Sequence, residues 1–148
     1  MSMKWSDLDH DSCPVARAMS VVGDRWTLLI LREAFLGTRR FDGFQDRLGI
    51  TRHLLAERLK KLEALGLMHR TPYQERPLRH DYRLTPAGRA FGPVMLMLVD
   101  WATENLPSDL PPPVRVVSQA DGHEVDPVVV DRATGTPLTY ETMRLRRT

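Results

Sequence analysis

Residues 49–70 read GITRHLLAERLKKLEALGLMHR, and this stretch decides the fold. Thr51 suits a helix N-cap, Leu55, Leu59, Leu62 and Leu65 recur at helical spacing, and Gly66 stands where a helix ends in a left-handed residue. At ~100° per residue, Leu54 joins those four leucines on one arc, while Arg52, His53, Ala56, Glu57 and Lys60 point the other way. One face packs and the other is free to read a partner. A solvated amphipathic helix presents the same charged face, so the surroundings must choose between the two.

Upstream, Asp11-Ser12-Cys13-Pro14 places capping candidates before a proline suited to a first helical turn, and the helix runs to Gly23. Asp24 opens a second helix, whose Trp26, Leu29, Ile30, Phe35 and Leu36 predict a broad buried face ending at Gly37. Phe41, Phe44 and Leu48 predict a short third helix closed by Gly49. Two helices joined by a tight Gly-containing turn make a helix-turn-helix. After Gly66 the period becomes two: strands over Leu67–Thr71 and Tyr82–Thr85 flank a loop from Tyr73 to His80, a β-hairpin wing. Thr85-Pro86 caps a long helix through Leu106 that Pro93 bends or delays, and its Phe91, Met95, Leu98, Val99 and Ala102 exceed what one side of a small domain needs.

The expected organisation is a winged helix over residues 1–106, a Pro-rich linker over 107–113 and a small β-rich extension over 114–148 with turns at Asp121-Gly122 and Thr134-Gly135. The fold class is mainly α, with a β-hairpin wing and a short C-terminal β-hairpin extension. The chain has 148 residues, 42% of them hydrophobic, enough for one core. No apolar run reaches the ~20 residues of a membrane span. The N-terminus, MSMKWSDLDHDSC, is too acidic for a signal peptide, which predicts a cytoplasmic protein. A single cysteine makes no intramolecular disulfide. Between Arg25 and Arg89 stand 14 Lys and Arg against 7 Asp and Glu, a net of +7, and the remainder has 7 against 12, a net of −5. Basic charge concentrated around the Thr51 helix favours a phosphate-backbone partner over a membrane.

Cys13-Pro14-Val15, Gly23-Asp24-Arg25-Trp26-Thr27, Ile30-Leu31-Arg32-Glu33, Arg40-Phe41, Leu59-x-x-Leu62-Glu63-x-x-Gly66-Leu67, Arg70, Tyr82-x-Leu84-Thr85-x-x-Gly88 and Trp101 together have a specific spacing. In these the chain, from about Cys13 to Trp101, resembles the HxlR-type winged-helix transcriptional regulators of bacteria, with a MarR-like winged helix. Arg25 stands where that family commonly has Lys, which keeps the charge. The resemblance implies a small homodimeric DNA-binding regulator whose terminal helices form the interface, here through Val15, Met19, Phe91, Met95, Leu98, Val99 and Trp101. It also implies a repressor at a pseudo-palindromic double-stranded operator, answering an oxidant, an electrophile or another small-molecule effector.

A helix in the major groove brings its first turns to base edges: Arg52 suits guanine, His53 a base or phosphate, and Ala56 a thymine methyl. Thr51, Arg40, Lys60 and Lys61 suit phosphates, and Arg76 or Arg79 on the wing reaches the adjacent backbone or a narrow minor groove. Arg58, between Leu54 and Leu62, is read as structural, paired with an acidic neighbour.

Some HxlR-type regulators sense oxidants through a cysteine placed like Cys13. Here a helix N-terminus and Arg17 favour a thiolate while Asp7, Asp9 and Asp11 oppose it, and the alternative is an inert residue packed at the dimer interface. In the tail, longer relatives place cysteines around Asp121-Gly122-His123 and Asp131-x-x-Thr134-Gly135. Without them one His and two Asp predict no metal site, and no cofactor is expected. No nucleophile-base pair or phosphate-cradling glycine loop is present, so an enzyme is not expected. The second reading is a winged-helix module that binds protein rather than an operator.

Overall fold

A computed structural model describes residues 5–147; the first four residues of the 1–106 segment and Thr148 lie outside the described residues. The chain forms two compact units, one through Gly92 and one from Pro93. In the first, a 3-10 turn at Trp5–His10 precedes α1 (Pro14–Val22), α2 (Arg25–Phe35), α3 (Phe41–Leu48), α4 (Arg52–Ala64), the antiparallel strands β1 (Met68–Glu75) and β2 (Leu78–Leu84), and a single turn, α5 (Pro86–Arg89). The fold is a winged helix-turn-helix, mainly α with a small β wing.

The α4 termini follow the chemistry of their residues. The Thr51 hydroxyl accepts the Leu54 N–H at 3.4 Å, and Gly66 takes φ +70° while the Leu67 N–H turns back to the Leu62 carbonyl at 2.9 Å, closing the helix. Leu55, Leu59 and Leu62 are fully buried, joined by Ile30, Leu31, Phe44, Ile50 and Met68. Leu65, expected on the packed arc, is exposed because it is the cap residue, one position past the last helical turn.

The α2 face is displaced from its expected position. Trp26 and Leu29 are half-buried, and Phe35 and Leu36 are exposed, since α2 ends at Phe35. Ile30 is buried as expected, and Thr27, Leu31 and Glu33 join it. The two polar members of that set are satisfied: Thr27 donates to Asp24, and the Glu33 carboxylate accepts from Arg32 at 2.8 Å and from Thr38 at 3.4 Å.

Asp24 ties α2 to α4. Its Oδ1 accepts the Trp26 and Thr27 amides at 3.0 Å each and Arg58 Nε at 3.1 Å, the acidic pairing expected for Arg58. Burial pushes the Asp24 carboxyl up, but the hydroxyl and amide of Thr27 and the Arg58 guanidinium outweigh it and hold the carboxyl below its ordinary value. A depressed folded-state value adds stability that is present above the unfolded value, ~3.9, and is lost as pH falls through the folded one. Asp24→Ala removes the cap and leaves Arg58 without its α2 partner, an expected cost of about 2–3 kcal/mol in urea unfolding at neutral pH. The difference from wild type should shrink as pH falls below ~3.9; a constant difference from pH 7 to pH 2 would refute this role for the charge.

The wing strands are longer than expected, and the loop shrinks to Arg76-Pro77. Thr71 pairs with Asp81 and Pro72 with His80, but Gln74 pairs with Arg79, so Tyr73 is the extra residue of a bulge. Such an irregularity accommodates Pro72, which has no N–H for the ladder. Arg40 adds an isolated bridge to Asp81, and the Tyr82 N–H donates to the Arg39 carbonyl at 2.6 Å, fastening the wing base to the start of α3.

The second unit holds the tail and, from Pro93 on, α6 (Gly92–Asn105). The long helix expected after Thr85, bent or delayed by Pro93, starts late: α5 is a single turn that stops at Arg89, and α6 begins at Gly92 with Pro93 in its first turn, where no helical N–H is needed. Turns form at both expected tail sites, with Gly122 and Gly135 at φ +76° and +70°. Each closes a ribbon with one isolated bridge, Val117 to Glu124 and Val130 to Pro137, rather than developed strands.

Candidate nucleic-acid interface

The outward face of α4 carries Arg52, His53, Ala56, Glu57 and Lys60, all exposed, against the buried leucines behind them. Beside it lies a cleft of about 730 Å³ between the starts of α3 and α4 and the wing, lined by Arg40, Arg52 and Arg79 together with Phe41, Tyr73 and Tyr82. Three of the expected contact residues thus meet around one opening.

Two of the arginines are held in matching ways. The Arg52 guanidinium lies 5.0 Å from the Phe41 ring centroid and 4.0 Å from Asp42. That of Arg40 lies 4.4 Å from the Tyr73 centroid and 3.9 Å from Asp81. Both side chains remain mostly exposed, at 75% and 67%, so each charge faces solvent while its planar group rests on a ring. Phe41, Asp42, Tyr73 and Asp81 were missed as site residues by sequence reasoning. Only the Arg40-Phe41 dipeptide hinted at them; Tyr73 is the unpaired residue of the wing bulge.

The other expected residues separate. Thr51 uses its hydroxyl as the α4 cap, and Arg76 stands exposed at the wing turn. Lys61 does not join the outward face: its Nζ donates to the Ser20 carbonyl at 2.6 Å, anchoring α4 to α1. Arg70 pairs with Glu63 at 3.2 Å, linking β1 to α4. Burial and the Glu63 carboxylate push the Tyr82 phenol up, with Arg70 opposing them.

Cys13 is exposed at the N-cap of α1, and its amide donates to Asp11 Oδ1 at 2.7 Å. Arg17 is turned onto the Asp11 and Ser12 carbonyls at 2.8 and 2.9 Å, so its guanidinium already has partners other than the thiol. The side chain of Asp9 lies outside the described residues. On α1, Val15 and Met19 are exposed. On α6 no residue is fully buried; Phe91 just before it and Met95 are half-buried, and Val94, Leu98, Val99 and Trp101 are exposed. In the tail, His123 Nδ1 sits 2.5 Å from Asp121 Oδ1, a contact that holds the Asp121 carboxyl below its ordinary value. Among the described residues no group of three or more His, Cys, Asp or Glu is placed to hold a metal ion. Among the described residues no helix is long and apolar enough to cross a membrane.

Comparison with known proteins agrees with this architecture. MT3179 of Mycobacterium tuberculosis, an uncharacterized HTH-type transcriptional regulator, is 44% identical over 139 residues, 93% of this chain and 88% of that protein. The crystal structure of PA1607, a candidate transcription factor, superposes with a TM-score of 0.83 at 37% identity, covering 97% of this chain and 99% of that one. The redox regulator HypR in its reduced form matches with a TM-score of 0.59 at 32% identity, over 63% of this chain and 93% of its own. MT3179 and PA1607 therefore match into the C-terminal unit, whereas HypR matches a shorter part. MT3179 and HypR are both named as regulators. The sequence pattern of the HxlR-like helix-turn-helix family spans residues 21–110, and with relatives this similar over nearly its whole length, the chain belongs to that family of transcriptional regulators.

Proposed function

We propose that the protein is a sequence-specific, double-stranded-DNA-binding repressor that acts as a homodimer at a pseudo-palindromic operator in the bacterial cytoplasm. The observation that carries this is the convergence of Arg40, Arg52 and Arg79 on the cleft beside the outward face of α4. In this reading Arg52, His53 and Ala56 face base edges, while Arg40, Thr51, Lys60, Arg76 and Arg79 face phosphates. Lys61 keeps its structural partner on α1.

Selection of bound fragments from random duplex DNA, followed by titration against the selected site, tests the proposal. Affinity should fall with salt at a log-log slope of roughly −0.9 per phosphate neutralised. Arg52→Ala should relax base preference at one position of each half-site, at a cost of about 1–3 kcal/mol. Arg79→Ala should weaken all sequences alike and flatten the slope by about one unit. The opposite pattern would exchange their roles. Failure to select any sequence would favour a protein-binding module, for which the exposed apolar side chains of α6 offer a surface.

Cys13 is the proposed sensor of an oxidant or electrophile, supported by its exposure and by the likeness to a regulator named for redox control. Diamide, which takes up two hydrogens as two thiols join in a disulfide, should lower operator affinity of the wild type by joining Cys13 to a partner's Cys13 or to an added thiol. Cys13→Ser should not respond. Equal responses of the two proteins would end the sensor proposal.

A further inference from the structure

We propose that the cleft between the α2–α3 turn and the base of the wing binds a small amphipathic anion, a carboxylate carried on an apolar ring. This cleft, about 710 Å³, is lined by Arg39, His69, Arg83 and Arg89, with Phe35 and Leu84 among its apolar walls and no carboxylate in its lining. His69 and Arg83 lie directly opposite each other in the β1–β2 ladder. Two basic side chains in that relation repel when both are charged, and Arg39 and Arg89 add to the same field. Internal partners only partly offset it: Arg83 reaches Asp81 at 3.3 Å and Arg89 donates to the Leu84 carbonyl at 2.9 Å. Among the described residues the Arg39 side chain has no hydrogen-bond or ion-pair partner, and its carbonyl takes the Tyr82 N–H. An anion here would receive charge-assisted hydrogen bonds and relieve the repulsion.

The apolar walls set the class of anion. Phe35 is 37% exposed at the end of α2, an aromatic ring left open beside cations. A bare phosphate makes no use of it, whereas a ring-bearing carboxylate covers it while its charge meets the arginines. The site also borders the proposed DNA-reading cleft, because Tyr82 lines both. Arg39 joins the Tyr82 backbone, and its neighbour Arg40 faces Asp81, so an occupant bears directly on the wing junction. The binding itself stands apart from the operator proposal; its regulatory consequence rests on that proposal.

Isothermal titration of the full chain with benzoate as probe tests the inference, with inorganic phosphate and cyclohexylamine as the comparison arms. Benzoate should bind, phosphate should bind more weakly, and the amine should give no heat. Arg39→Gln and Arg83→Gln should each weaken benzoate by about tenfold with melting temperatures near that of the wild type, while Arg76→Gln, outside the cleft, should retain wild-type affinity. Absence of benzoate binding at millimolar concentration, phosphate binding as tight as benzoate, or unchanged affinity in Arg39→Gln would overturn the site. Loss of operator affinity in Arg39→Gln without any benzoate would give the cleft to the DNA backbone and overturn it equally. A wild type that binds benzoate yet selects no DNA would support the site while removing the operator proposal.

Discussion

Gly88→Ala is expected to lower the stability of the winged helix by about 3 kcal/mol or more, a fall in melting temperature of roughly 10 °C or more. Gly88 is buried in α5, where a Cβ would land far inside van der Waals contact distance of the Leu67 carbonyl oxygen and 3.1 Å from Leu84 Cδ2. A flexible side chain would yield to such a contact, but this carbonyl is held. It accepts the Thr85 N–H at 3.0 Å, and the Thr85 hydroxyl donates to the neighbouring Gly66 carbonyl at 2.6 Å. The same hydroxyl accepts the Gly88 amide at 3.1 Å as the cap of α5. Relieving the clash therefore pulls apart the junction where α4 passes into β1 and where β2 leaves the wing. A thermal melt followed by circular dichroism reads the effect. A change below about 0.5 kcal/mol, the range of an ordinary surface substitution, would mean that the junction yields and that the wing is not fixed to α4 through it.

The α4 helix was legible because its signals are local. A threonine cap, leucines at helical spacing and a terminal glycine lie within one stretch, and the structure uses each of them. Arg58 was legible for a similar reason: a cation placed beside the packed arc requires an acid, and Asp24 supplies it. What escaped depended on contacts across the fold. Lys61 lies on the flank of α4 near the expected reading face, and only the approach of α1 turns it toward Ser20. Tyr73 sat in a stretch, Tyr73 to His80, whose proline and charges spoke for a loop. The β2 pairing makes that stretch a bulged strand, and the ring of its unpaired residue lies beneath Arg40. Periodicity placed Ile30 on the buried face of α2, but Phe35 is exposed because the helix terminates there, and Leu31, outside the expected set, is buried.

Leu98→Asp is expected to convert the proposed homodimer into a monomer and to abolish the proposed operator binding with α4 untouched. Along α6, Val94, Leu98 and Trp101 fall at i, i+4 and i+7, a single stripe at ~100° per residue, and they are 49%, 42% and 56% exposed. Within the same unit, Leu96, Val99 and Thr103 line a cleft with Val116 and Val125 of the first tail ribbon. These residues centre nearly opposite the stripe, so the tail engages one side of α6 and leaves the other uncovered. Val99, expected with the interface residues, belongs to the tail side, and Val94 takes its place in the stripe. An apolar stripe of this kind on a regulator with one reading helix per chain suits a twofold contact, which would set two α4 helices about one DNA turn, ~34 Å, apart. Since Leu98 is exposed in the single chain, an aspartate there is solvated in the monomer and penalised only on association. If buried without a partner its charge should cost more than about 3 kcal/mol, weakening dimerisation at least about a hundredfold. Sedimentation at micromolar concentration with a helicity measurement separates loss of association from loss of folding. A wild-type monomer, or a Leu98→Asp protein that sediments as a dimer and still binds its operator, would refute the interface.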